Sequence, residues 1–242
     1  MFTAALFGAL AASTLLVGGI VAYAVKPSAR FTAIIMALGS GLLIGSVAFD
    51  LVGEAQMALS IVAVALSLMA GAAVFVVGSR LIARRTTRGK AHTSTDGAPD
   101  SPLPIVLGSV LDGVPESFVL GLSVLQGGVN VPLLVGIGLS NLPEGLAASA
   151  GLRARGWPQA RVLGMGAVVV MTSAVSAGLG HKVLASDDGT LSAIAQTFAA
   201  GALLAMIADT MIPDAFEVER EWTGGLVVAG FAISLLIAAV LA

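Results

Sequence analysis

The sequence predicts an all-α membrane protein, a single polytopic domain of eight transmembrane helices over residues 1–242. Three observations carry that prediction. Of its 242 residues 57% are hydrophobic and 11% charged, whereas charged residues make up about a quarter of an ordinary soluble domain. Apolar runs long enough to cross a bilayer, about 20 residues each, recur eight times. The basic residues alternate from one loop to the next in step with those runs.

The runs are 3–25, 32–54, 57–80, 103–125, 130–152, 158–184, 190–213 and 222–242. The first has no basic segment before it and exceeds the 7–15 apolar residues of a signal peptide, so it reads as a helix. Lys-Pro-Ser at 26–28 ends it. Spans two and three are separated by only a few residues. The polar stretch 84–101 after the third span is the longest loop, reads as flexible, and divides three helices from five. Gly-Gly-Val-Asn at 127–130, Arg-Gly-Trp-Pro at 155–158, Ser-Asp-Asp-Gly at 186–189 and the charged run 217–221 mark the later breaks.

All but Lys182 of the 12 Lys and Arg residues fall at the loops after spans one, three, five and seven. Positive residues collect on the cytoplasmic side. The expected location is therefore the plasma (inner) membrane, with both termini outside and loop 84–101 in the cytoplasm.

Zero cysteines exclude a disulfide framework and thiolate metal sites. No phosphate-binding Gly-rich loop is present, so nothing indicates ATP use. An intramembrane hydrolase would need paired metal-binding His, an activated Ser or paired catalytic Asp residues. The chain has two His residues, His92 in the polar stretch and His181 near a span end, so it is expected not to be an enzyme. Nothing points to nucleic acid or to a bound cofactor.

The chemistry lies in the acidic residues. Asp112-Gly113-Val114-Pro115-Glu116 and Ser140-Asn141-Leu142-Pro143-Glu144 repeat one pattern, polar-x-x-Pro-Glu, inside spans four and five. A charge at such depth costs about 2.5–3.5 kcal/mol on insertion scales. Asp112 and Glu116 stand four apart, as do Ser140 and Glu144, so each pair shares a helix face. The short loop between these spans makes them antiparallel neighbours whose polar faces can converge. Each proline removes an N–H and clashes with the carbonyl four residues back, at Leu111 and Leu139. The expectation is a pair of broken helices with carbonyls free for water or a cation. Asp50 and Asp209 are also within spans, near their ends. No Lys or Arg lies near the middle of any span, so these carboxylates either take a proton or hold a mobile cation.

At these residues the chain resembles the ZIP (Zrt/Irt-like) family of divalent metal transporters. Asn141-Leu142-Pro143-Glu144-Gly145 is similar to the family's motif on its fifth helix, and Pro115-Glu116 more loosely to that on its fourth. Gly41 to Glu54, around Phe49-Asp50-Leu51, and Asp209-Thr210-Met211-Ile212-Pro213-Asp214-Ala215 are similar to the ends of its second and seventh helices. The resemblance implies a 3+2+3 arrangement in which helices 1–3 and 6–8 are inverted repeats around helices four and five, and it suggests a homodimer. It also implies a metal site with Asp112, Glu116, Ser140 and Glu144 as ligands, Asn141 at an adjoining second position, and Asp50 and Asp209 along the ways in and out.

Asp112 and Gly113 stand where the family usually has His and Asn. Helix six, which often supplies an acidic residue, has only Thr172, Ser173 and Ser176. The expected site is then all oxygen. Such sites suit Mn²⁺, Mg²⁺ or Ca²⁺, with Fe²⁺ intermediate, while zinc favours N and S ligands. The function implied is secondary transport of a divalent metal cation of the zinc, iron or manganese class toward the cytoplasm. The alternatives are proton-coupled transport of another solute on the same fold, and a degenerate protein that transports nothing. Small-residue stretches Gly39-Ser40-Gly41, Gly71-Ala72-Ala73 and Ala199-Ala200-Gly201-Ala202 would allow close helix packing.

Overall fold

The computed structural model of the chain describes residues 1–25, 27–90, 103–125, 130–184 and 189–241. They form eight helical segments: α1 (Phe2–Ala24), α2 (Ala29–Ala55), α3 (Ile61–Lys90), α4 (Leu103–Leu125), α5 (Val131–Ala154), α6 (Gln159–Leu184), α7 (Thr190–Val218) and α8 (Thr223–Leu241). No strand occurs among the described residues. Seven of these helices are long and apolar enough to cross a membrane, and the chain is a membrane protein. The other, α4, has 23 residues, about 34 Å at 1.5 Å per residue.

The helix starts follow from local chemistry. The Ser28 hydroxyl accepts from the Phe31 N–H at 3.2 Å, Ser60 from Ala63 at 3.3 Å, and the Asn130 side chain from Leu133 at 2.8 Å. Each satisfies an N–H that the first turn leaves free. After α5 the chain reverses at Gly156, φ +81°. The Trp157 N–H donates to the Leu152 carbonyl at 3.1 Å and the Gly156 N–H to Arg153 at 2.9 Å. That is the Schellman closure, which favours glycine in the left-handed conformation.

Two features differ from the sequence expectation, beside end shifts such as α7 running to Val218 rather than 213. Helix α3 begins at Ile61 rather than 57, because Ser60 caps it, and it continues to Lys90 through residues expected in the flexible loop. Ala83-Arg84-Arg85 favours helix, and the first proline after it is Pro99. The remainder of that loop, with His92, lies outside the described residues. The second difference concerns the prolines. Helices α4 and α5 run unbroken through Pro115 and Pro143. The departures from α geometry fall instead in α2, as a π-turn at Val47–Val52, and in α7, as a π-turn at Ile207–Met211. Asp50 and Asp209 sit in these turns.

Packing is built on glycines. Helix α2 lies against α8, where Gly41 meets the Val227 carbonyl and Gly230 the Leu38 carbonyl. Helix α3 lies against α7, where Gly71 meets Phe198 and Gly201 meets Leu68. Helix α1 lies against α5 through Gly18 on Leu142 and Gly145 on Leu15, and α4 against α6 through Gly121 on Ala177. At each point a Cβ would overlap backbone, so only glycine permits the approach. At the end of the bundle holding the α1–α2 and α5–α6 turns, Arg153 donates to the Ala22 carbonyl at 2.8 Å and the Tyr23 hydroxyl to Trp157 at 2.6 Å. Arg30 also pairs with Glu219 there at 2.7 Å. This is the basic end.

Candidate functional site

Helices α2, α4, α5 and α7 enclose a cavity of about 270 Å³. From α4 come Gly108, Ser109, Asp112 and Glu116; from α5, Ser140, Glu144, Ala147 and Ala148; from α2, Met36; and from α7, Met206, Thr210, Met211 and Asp214. Four carboxylates therefore line one space. The i, i+4 spacing puts Asp112 and Glu116 on one face of α4 and Ser140 and Glu144 on one face of α5, and the antiparallel packing brings those faces together.

Glu116 is the deepest, 2% exposed. Its Oε1 accepts from the Ser140 hydroxyl at 3.4 Å. Its Oε2 is buried with no hydrogen-bond partner. Glu144, partly buried, has the Ser109 hydroxyl beside its carboxylate, and the charges of Asp112 and Glu144 act on one another. Among the described residues no Lys or Arg pairs with any of these groups; the one ion pair is Arg30–Glu219 at the basic end. A carboxylate oxygen so placed needs a proton or a cation from outside the protein's own side chains. Among the described residues, no three His, Cys, Asp or Glu side chains stand close enough together to hold one ion.

Four of the five expected site residues, Asp112, Glu116, Ser140 and Glu144, line the cavity. Asn141 does not; its amide donates to the Ala11 carbonyl at 3.4 Å, with its side chain against Glu116. Asp209 is exposed and outside the cavity lining. Asp50 is half-buried near the other end of the bundle, beside Asn130, with Oδ2 buried and unpartnered. Of the polar residues on α6, Ser176 donates to the Val114 carbonyl at 3.0 Å and Ser173 is buried beneath Gly113. They brace α4 and line no cavity.

Among the other lining residues, Met36, Ser109, Met206, Thr210, Met211 and Asp214 carry polar or sulfur atoms and were not among the expected ligands. Three methionines share the lining with the oxygen groups, and they come from α2 and α7 rather than from the two Pro-Glu motifs. The signal for Ser109 was its position three residues before Asp112. For α7 it was the π-turn, which sequence periodicity does not announce. In an uninterrupted α-helix Met206 and Met211 would point about 140° apart at 3.6 residues per turn. A π-turn closes i to i+5 and brings them onto one face.

Among the described residues the cavity continues toward the basic end. A second cavity of about 350 Å³ shares Met36, Ala147 and Asp214 with it and reaches Pro27, Ala29 and Glu217 at the basic end. On the opposite side of Glu116 the helices close on Leu43, Leu120, Leu133, Ile137, Leu203 and Ile207, each at most 1% exposed. No protein-family model matches the chain, and no curated protein matches it.

Proposed function

We propose that the chain is a secondary transporter of a divalent metal cation, built in the manner of the ZIP family and divergent from it in its ligands. One observation carries the reading: the buried, unpartnered Oε2 of Glu116 in a cavity shared with Asp112, Glu144 and Asp214 and without a basic residue. Intramembrane acidic groups of this kind mark ion pathways. The cation sheds water onto Glu116 and an acidic neighbour, Asp112 or Glu144, with Ser140 as a neutral donor, and leaves past Asp214 and Glu217 toward the basic end. By the positive-inside rule that end is cytoplasmic and both termini are outside.

The 3+2+3 arrangement belongs to this proposal and has its own support. Helix α2 against α8 matches α7 against α3, and α1 against α5 matches α6 against α4, each pair closed by glycine on a carbonyl. The π-turns of α2 and α7 begin at Val47 and Ile207, six residues beyond Gly41 and Gly201, which make equivalent contacts. An inverted repeat exchanging helices 1–3 with 6–8 produces this matching.

Proteoliposome uptake tests the function. Saturable metal uptake by the intact chain, lost in Glu116→Gln and Glu144→Gln, is the expected result. The second reading is proton-coupled movement of another solute, favoured by the absence of three convergent acidic or imidazole ligands among the described residues. Proton uptake indifferent to every metal would select it.

A further inference from the structure

Every buried methionine of this chain lines the carboxylate cavity. Met36, Met206 and Met211 are 8%, 4% and 8% exposed, whereas Met1, Met57, Met69 and Met171 are exposed and Met165 is half-buried. The buried core elsewhere is Leu, Val, Ile, Ala and one Phe. Methionine fills irregular gaps, but its sulfur is also a polarisable acceptor. Here it is reserved for the one cavity that contains anions.

The two donor types stand on opposite walls. Asp112, Glu116, Ser140 and Glu144 belong to α4 and α5. Met206 and Met211 belong to α7, presented together by the π-turn between them. Glu116 Oε2 is nine-tenths and more buried, unpartnered, and part of the same lining. We infer that Met206 and Met211 are ligands to the cargo and set its class: a soft or borderline divalent cation held between carboxylate and thioether, not a hard ion such as Mg²⁺, Ca²⁺ or Mn²⁺. The inference rests on reading the cavity as a cation site. It also explains how the cation completes its shell where three acidic or imidazole ligands do not converge: two carboxylates on one wall and two thioethers on the other make four donors. Thioether favours soft ions, and carboxylate alone favours hard ones.

Competition binding on the full chain in lipid nanodiscs, with Cd²⁺ as the soft probe and Mn²⁺ as the hard one, tests this. The wild type is expected to bind Cd²⁺ more tightly than Mn²⁺ by about tenfold or more. The double variant Met206→Leu/Met211→Leu, which nearly conserves volume, is expected to lose Cd²⁺ affinity about tenfold more than Mn²⁺ affinity. Met171→Leu, on the exposed face of α6, controls for a general effect of losing sulfur. A double variant that keeps the wild-type Cd²⁺ to Mn²⁺ ratio, or loses both ions equally, overturns the assignment and leaves the methionines as packing. If the wild type binds neither ion, the cation site itself falls, and the ligand assignment with it.

Discussion

The Ser140 hydroxyl on α5 stands 3.4 Å from Oε1 of Glu116 on α4, a contact that crosses between the two Pro-Glu motifs at the floor of the cavity. The same hydroxyl donates to the Ile137 carbonyl of its own helix at 2.9 Å. The shorter bond therefore holds the serine in place, and the 3.4 Å contact to the carboxylate is the weaker share of the same proton. Ser140→Ala is expected to preserve folding and to weaken cation binding modestly. Glu116→Gln is expected to abolish uptake while the thermal midpoint rises or holds, because a buried charge has been removed. Uptake and thermal unfolding measured on the same preparations check both.

The one-sided cavity predicts one-sided chemical access. The chain has no cysteine, so each introduced thiol is unique. Ala147→Cys and Glu217→Cys are expected to react with a membrane-impermeant maleimide from the cytoplasmic face only. Ile137→Cys, 1% exposed in the native side chain, is expected to resist labelling from either face. Labelling of Ala147→Cys from the outside would reverse the assigned orientation.

Glycine contacts predict a sharp contrast in stability. A Cβ on Gly41 would overlap the Val227 carbonyl, and one on Gly151 would meet nothing within 4 Å. Gly41→Ala is expected to destabilise by about 1–3 kcal/mol or to prevent assembly. Gly151→Ala, inside α5, is expected to be neutral or to stabilise by about 0.5–1 kcal/mol. Thermal unfolding in the same detergent compares them.

The π-turn in α7 predicts the outcome of shortening it. Deleting Ala208, an exposed residue inside Ile207–Met211, removes the extra residue that sustains the turn. The helix is expected to revert to α geometry with Met206 and Met211 then four residues apart and still on one face, so circular dichroism and uptake should both be largely retained. Loss of uptake by a well-folded deletion would show that the turn itself, and not the shared face, sets the lining.

The helices were legible because bilayer length and charge alternation are long-range signals that a single residue cannot erase. The convergence of Asp112, Glu116, Ser140 and Glu144 was legible too, since four-residue spacing fixes a helix face whatever the partner. What sequence could not convey was the second wall. Met206 and Met211 are five apart, a spacing that α periodicity assigns to different faces, and only the π-turn reunites them. The prolines misled in the opposite sense. Pro115 and Pro143 read as breaks, yet α4 and α5 accommodate them, and the irregular turns fall where no proline stands. Asn141 was assigned by motif alone; its place in the sequence shows neither that its amide reaches α1 nor that it stands clear of the cavity.

The glycine contacts also divide the molecule mechanically. Wherever a Cβ would come closer than 3.0 Å to a neighbouring helix, the two helices belong either to the set α1, α4, α5, α6 or to the set α2, α3, α7, α8. Between the sets the contacts are looser: Gly39 meets Leu139 at 3.2 Å and Gly136 meets the Leu43 side chain at 3.0 Å. The tightest glycine contacts thus sort the helices into two sets, and the cavity lies between them, its carboxylate floor on one set and its methionines and Asp214 on the other. A displacement of one set against the other by a single helical turn, about 5.4 Å, would carry Glu116 and Glu144 to a new set of neighbours.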